Sequence, residues 1–152
     1  MKEITYNFIA ILLCILILIA TFLFRDQFNA SLLLQSIGLI FVVTGMTFWI
    51  IGKLTLGKYF SVSHKPKALI TKGIYSKLRH PMYTGGVLIY LGLALFFKSI
   101  VGLTLTIAIL VPLLVYSATI EEKLLREKYK KDFDQYKKSV HVHRFCFKFW
   151  LK

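Results

Sequence analysis

Four stretches of the chain carry no charged residue: Ile4 to Phe24, Gln27 to Gly52, Met82 to Phe97 and Ser99 to Ile120. A helix rising 1.5 Å per residue needs about 20 apolar residues to cross the hydrocarbon core of a bilayer. The first, second and fourth stretches meet that length; the third, at 16 residues, is the shortest. The pattern predicts an all-α membrane protein of about four transmembrane helices. Between the second and third stretches, residues 53–81 mix Gly57, Pro66, Gly73 and Pro81 with short polar runs. No long helix fits there, and "KALITKGIY" reads as an ordered loop. Beyond Ile120 the chain continues without an obvious stop into "EEKLLREKYKKDFDQYKKSV". Leu125, Tyr129, Phe133, Tyr136 and Val140 follow at spacings of four, four, three and four. This stripe predicts a C-terminal amphipathic helix lying against the basic loop or the lipid surface.

Charge adds an orientation. Segment 53–81 holds Lys53, Lys58, Lys65, Lys67, Lys72, Lys77 and Arg79 with no acid, and ten further Lys and Arg follow Ile120 against five acids. By the positive-inside rule both regions and the N-terminus face the cytoplasm, which an even count of four spans satisfies. A bacterial or archaeal inner membrane or an endomembrane suits this arrangement. The first stretch is too long for a signal-peptide core, lacks a small-x-small site and is followed by Arg25-Asp26, so it reads as an uncleaved transmembrane helix. The net charge of +13 belongs to the membrane surface rather than to nucleic acid. Cys14 and Cys146 form no motif, and no metal site is expected: His141 and His143 lack a third ligand nearby in sequence. Phe145, Phe147, Phe149 and Trp150 beside Arg144 and Lys148 read as an interfacial anchor.

Two units follow from the pattern. Residues 1–52 form a plain N-terminal hairpin, and residues 53–152 carry the polar chemistry. Gly38, Gly45 and Gly52 recur every seven positions on the second helix, a stripe that lets a neighbouring helix approach closely.

Helices three and four form an antiparallel hairpin closed near Lys98-Ser99. Its open ends therefore bring Arg79-His80-Pro81-Met82-Tyr83 beside Glu121-Glu122. The cluster supplies cations for a carboxylate or phosphate, glutamates for hydroxyls or an ammonium, and tyrosines for cation–π contact. Gly73, Gly85 and Gly86 are places where backbone could approach a ligand. The same residues also allow a plainer reading, in which Arg79 and Lys77 touch lipid phosphate and the glutamates pair with nearby lysines.

These motifs resemble the isoprenylcysteine carboxyl methyltransferase family and its relatives, the membrane phospholipid methyltransferases. The family pattern, roughly G-x-Y-x-x-x-R-H-P-x-Y-x-G, is matched by Gly73, Tyr75, Arg79, His80, Pro81, Tyr83 and Gly85. After the hairpin, Glu121, Glu122, Leu125, Phe133, Tyr136 and Val140 match its second part, so the resemblance covers roughly residues 64–140.

The resemblance implies an integral-membrane enzyme that uses S-adenosylmethionine at the cytosolic side and takes a lipid-like acceptor from the bilayer. It implies that the backbone of Lys67, Ala68, Leu69 and Ile70 lines the cofactor, with Tyr75, Arg79, His80 and Tyr83 beside it. Glu122, with Glu121, would close the pocket. Four positions depart from the pattern. Ser117 stands where isoprenylcysteine enzymes place an acceptor-contacting Arg, Tyr129-Lys130 replaces a Phe-Gly pair, and His141 replaces a proline. An isoprenoid-linked carboxylate is the favoured acceptor, with a phospholipid amine or small hydrophobic thiol as alternatives; a non-catalytic scaffold of the same fold is the competing reading. Methyl transfer needs no covalent intermediate, since holding donor and acceptor together contributes up to about 7–11 kcal/mol. Only an amine acceptor must first lose a proton, for which His80 and Glu121 are the candidates.

Overall fold

The computed structural model describes residues 2–29, 31–60 and 67–140, and every described element is helical. Helix α1 spans Lys2–Leu23 and α2 spans Leu32–Leu56; short 3-10 turns follow at Gly57–Tyr59 and Gly73–Ser76. Helix α3 spans Pro81–Phe96, α4 spans Ile100–Leu105, a π-turn covers Thr106–Leu110, and α5 spans Val111–Ser139. Among the described residues, three helical runs are long and apolar enough to cross a membrane: Thr5–Leu23, Leu32–Tyr59 and Ile100–Ser139. Pro81–Phe96 is apolar but short, about 24 Å of helix at 1.5 Å per residue. The expected tail anchor, Cys146, and the His141 and His143 pair lie outside the described residues.

The glycine stripe explains the tightest packing. A Cβ at Gly45 would fall 2.6 Å from the Gly85 carbonyl oxygen, and one at Gly38 would fall 2.8 Å from that of Gly92. Glycines thus face glycines where α2 crosses α3, and backbone meets backbone. Gly52 extends the stripe, with space for a Cβ closed by Met82. Gly85, which the sequence offered as a ligand approach, is consumed in this helix contact. Gly73 is needed for a different reason: its φ is +61°, and a Cβ there would press on Thr55.

At the end where α1 meets α2, the turn is clasped to the α3–α4 turn. The Asp26 and Gln27 amides donate to the Phe97 and Lys98 carbonyls at 2.9 and 3.0 Å. Gln27 Oε1 accepts from the Val101 amide, Asp26 pairs with Lys98, and Ser99 caps α4 through the Gly102 amide.

Helix α5 departs from the continuous amphipathic rod that its stripe suggests. Lys130 adopts φ 42° and ψ −111°, and the helix folds back there. Glu122 and Lys137, which a straight helix would hold about 22 Å apart, meet at 3.0 Å. The stripe residues Leu125, Phe133, Tyr136 and Val140 therefore converge from two limbs onto one apolar cluster, joined by Leu69 from the loop. The folded-back limb lies against the loop, as the stripe allowed: Tyr136 donates its hydroxyl to the Tyr75 carbonyl at 2.7 Å.

Candidate functional site

Pro81 opens α3 because its fixed φ suits the first helical position and its missing N–H costs nothing there. The residue before a proline is pushed out of the helical region, so Arg79 and His80 stand on non-helical backbone aimed across the hairpin. On the facing α5, Glu121 and Glu122 are consecutive and point to different neighbours. The Glu122 carboxylate accepts from Arg79 Nη1 at 2.6 Å and from Lys137 Nζ at 3.0 Å, and it meets His80 Nε2 at 3.2 Å. Glu121 lies 3.7 Å from His80 Nδ1 and lines the same cavity as Tyr83. One buried imidazole thus stands between both carboxylates, stacked on the Tyr83 ring at 5.5 Å.

Burial opposes the charge on Glu122, but the His80 contact, the Arg79 guanidinium and the Lys137 hydrogen bond outweigh it and bring its carboxyl down to about 2. The apolar stretch of α5 ends at Ile120, so this ionised group stands just past the greasy part of the helix. Burial also pushes the Tyr136 hydroxyl up to about 12, keeping it a donor to Tyr75. Among the described residues Arg79 Nε is a buried donor with no partner. A buried N–H of this kind is costly unless something accepts from it.

Two adjoining cavities share Leu56, Tyr75, Arg79, His80 and Glu121 as walls. The smaller, about 30 Å³, is lined by Ala68, Leu69 and Ile70 from the loop, by Glu122, and by Phe133 and Tyr136 from the folded-back limb. The larger, about 320 Å³, is lined by Trp49, Phe60, Met82 and Tyr83. The first holds roughly one water as it stands. The second is the size of a small ligand site.

Of the residues singled out from sequence, Ala68, Leu69, Ile70, Tyr75, Arg79, His80, Glu121 and Glu122 converge on the small cavity, and Tyr83 lines the large one. Lys67 lines neither; its carbonyl accepts from Lys128 Nζ at 3.0 Å and so ties the loop to α5. Ser117 is buried, bonded to the Tyr6 hydroxyl at 2.9 Å and to the Leu113 carbonyl. It therefore joins α5 to α1 and also stays out of both cavities. Sequence reasoning missed Lys137, Trp49 and Phe60. Lys137 reaches the cluster only through the bend at Lys130, and a lysine carries no sequence signal for a helix break.

The bundle thus carries a His/Glu/Arg cluster in the wall between two cavities. The family model for phospholipid methyltransferases matches residues 27–132, and the chain belongs to that family. It is accordingly an integral-membrane protein of a methyltransferase family, whose substrates are lipid-like. The match begins at the α1–α2 turn and ends just after the Lys130 bend. No curated protein and no solved structure matches the chain.

Proposed function

We propose that this protein is an S-adenosylmethionine-dependent methyltransferase that methylates the amine of a lipid headgroup at the cytoplasmic face of the membrane. The observation that carries the reading is the wall shared by the two cavities, with His80 held between Glu121 and Glu122. The lining of the small cavity offers the donor's polar groups their partners, and its 30 Å³ must widen to admit them. Its orphaned Arg79 Nε seeks an acceptor such as a carboxylate, while Glu122 and the Ala68–Ile70 backbone are polar partners for an amino group and ribose hydroxyls. Both termini facing the cytoplasm follows from the basic residues at this end. When bound, the donor supplies a methyl group on a sulfonium.

Among the acceptors left open by the sequence, the lining of the large cavity favours the amine. It presents Glu121 and the rings of Trp49, Phe60, Tyr75 and Tyr83, a combination that suits a cation. Its Arg79 is already paired with Glu122, and Ser117 is locked to Tyr6. Glu121 would orient the ammonium, and His80 or Glu121 would take its proton before transfer. Once an acceptor fills the cavity, the apolar rings and Met82 would leave little water around the reacting nitrogen.

Two measurements test this. Isothermal calorimetry of the purified protein in detergent should show saturable donor binding, lost in Glu122→Ala and in His80→Ala. Incubation with methyl-labelled donor should then label a phosphatidylethanolamine in preference to a prenylated cysteine carboxylate. Well-folded protein that binds no donor overturns the enzyme reading, and label on the carboxylate overturns the acceptor assignment.

A further inference from the structure

Lys53 stands one helical turn beyond Trp49 on α2, beside the point where Gly52 lets α2 meet Met82 at the start of α3. Its ammonium lies 5.0 Å from the centre of the Trp49 ring and 5.6 Å from that of Phe60. Both rings are walls of the 320 Å³ cavity. Lys53 is exposed, and among the described residues it forms no ion pair, unlike the Arg79 and Lys137 cations bound to Glu122. Two aromatic rings that line the cavity therefore hold an uncompensated positive charge beside it, while Glu121 is one of its walls. Cation–π contact fixes where that charge sits without neutralising it. An ammonium presents three donors and binds phosphate as a point charge.

We propose that Lys53 is a specificity-determining residue that recognises the phosphate of the acceptor's headgroup, while Glu121 receives the amine. The assignment rests on the acceptor reading above and deepens it: with Lys53 beside the Trp49 and Phe60 rings and Glu121 in the wall, the cavity would suit a zwitterionic phospholipid amine better than a phosphate-free one. A solvated lysine on an aromatic belt would bind both acceptors alike.

The test compares a short-chain phosphatidylethanolamine with a diacyl amine of the same chains lacking the phosphate. Methyl transfer gives KM for each, and Trp49 fluorescence in a Trp150→Phe background gives an affinity for each that needs no turnover. Lys53→Met keeps the packed stem over the rings and removes the charge. The expected result is a change of about tenfold in the ratio of the two KM values or affinities, the size of one charge-assisted hydrogen bond. It should fall on KM rather than kcat, and Lys53→Arg should restore most of it. An unmoved ratio overturns the assignment. Calorimetry separates the two failures: a ratio that moves in protein that binds no donor supports Lys53 and retires the enzyme reading. An unmoved ratio in protein that binds donor does the reverse.

Discussion

At one end of the bundle Asp26 and Lys98 close a clasp between two interhelical turns; at the other, Glu122 gathers Arg79, His80 and Lys137. Both arrangements are oppositely charged groups joining distant segments, and both lower the pKa of their carboxylate. For Asp26 the main cause is the Lys98 hydrogen bond, and the pair stands in solvent. For Glu122 burial works against the charge, and three partners must overcome it. Exposed pairs contribute little because water and salt already stabilise each ion. Buried ones are costly to assemble and costlier to break. The clasp is therefore fastened mainly by its backbone hydrogen bonds, with the ions as trim. The other end keeps a charge cluster that is costly to assemble, which supports the proposal that a site lies there.

The largest effect should come from cutting that cluster. Glu122→Ala leaves the Arg79 guanidinium buried without its partner and should cost about 3 kcal/mol, read as a fall in the thermal midpoint in detergent. The acid behaviour follows with its sign fixed by the lowered pKa. The contribution of ionised Glu122 is complete above the ordinary carboxylate value of 4.5 and is lost as the pH falls toward about 2. Wild-type protein should lose stability over that window, and Glu122→Gln should lose less of it. An identical acid profile in the two proteins would show that Glu122 is not coupled to its neighbours.

How much of this contrast was legible in the sequence depends on the range over which each signal acts. The charge-free stretches marked the helices, since span length is a local property. The hairpin of α3 with the α4–α5 run brought Arg79 and His80 to Glu121 and Glu122 because antiparallel neighbours share their open ends. The heptad of Gly38, Gly45 and Gly52 marked a contact face on α2 without naming its partner; Gly85 and Gly92 on α3 completed it. Trp49 and Phe60 were silent because aromatic residues near a membrane surface are ordinary, and only the α2–α3 crossing puts them beside His80. Lys137 was hidden by Lys130, a good helix former that sits where the helix must break.

That break offers the next prediction. A side chain at φ 42° with ψ −111° costs about 1–3 kcal/mol, and glycine removes that strain while losing about 0.5–1 kcal/mol to unfolded-state entropy. Lys130→Gly should therefore raise stability by about 1 kcal/mol and leave the Lys137–Glu122 pairing in place. Lys130→Pro should instead disrupt the bend, since the ring fixes φ near −65°, and detach Lys137 from Glu122. A destabilised glycine variant would mean the bend is not the low-energy form of this helix. The site end would then owe its geometry to something other than the fold-back.

The smallest effect belongs to the far end. Asn tolerates the left-handed backbone that Asp26 adopts at φ 59°, so Asp26→Asn removes the charge and little else. Its thermal midpoint should differ slightly from wild type in low salt and not at all near 1 M, where screening reaches a few ångströms. Most of the loss in Glu122→Ala should persist in the same salt, because Arg79 and His80, unlike the half-exposed Lys137, are shielded from the solvent ions. If Asp26→Asn proves as damaging as Glu122→Ala, burial is not what separates the two ends. The Asp26–Lys98 pair would then be part of the scaffold's strength rather than its trim.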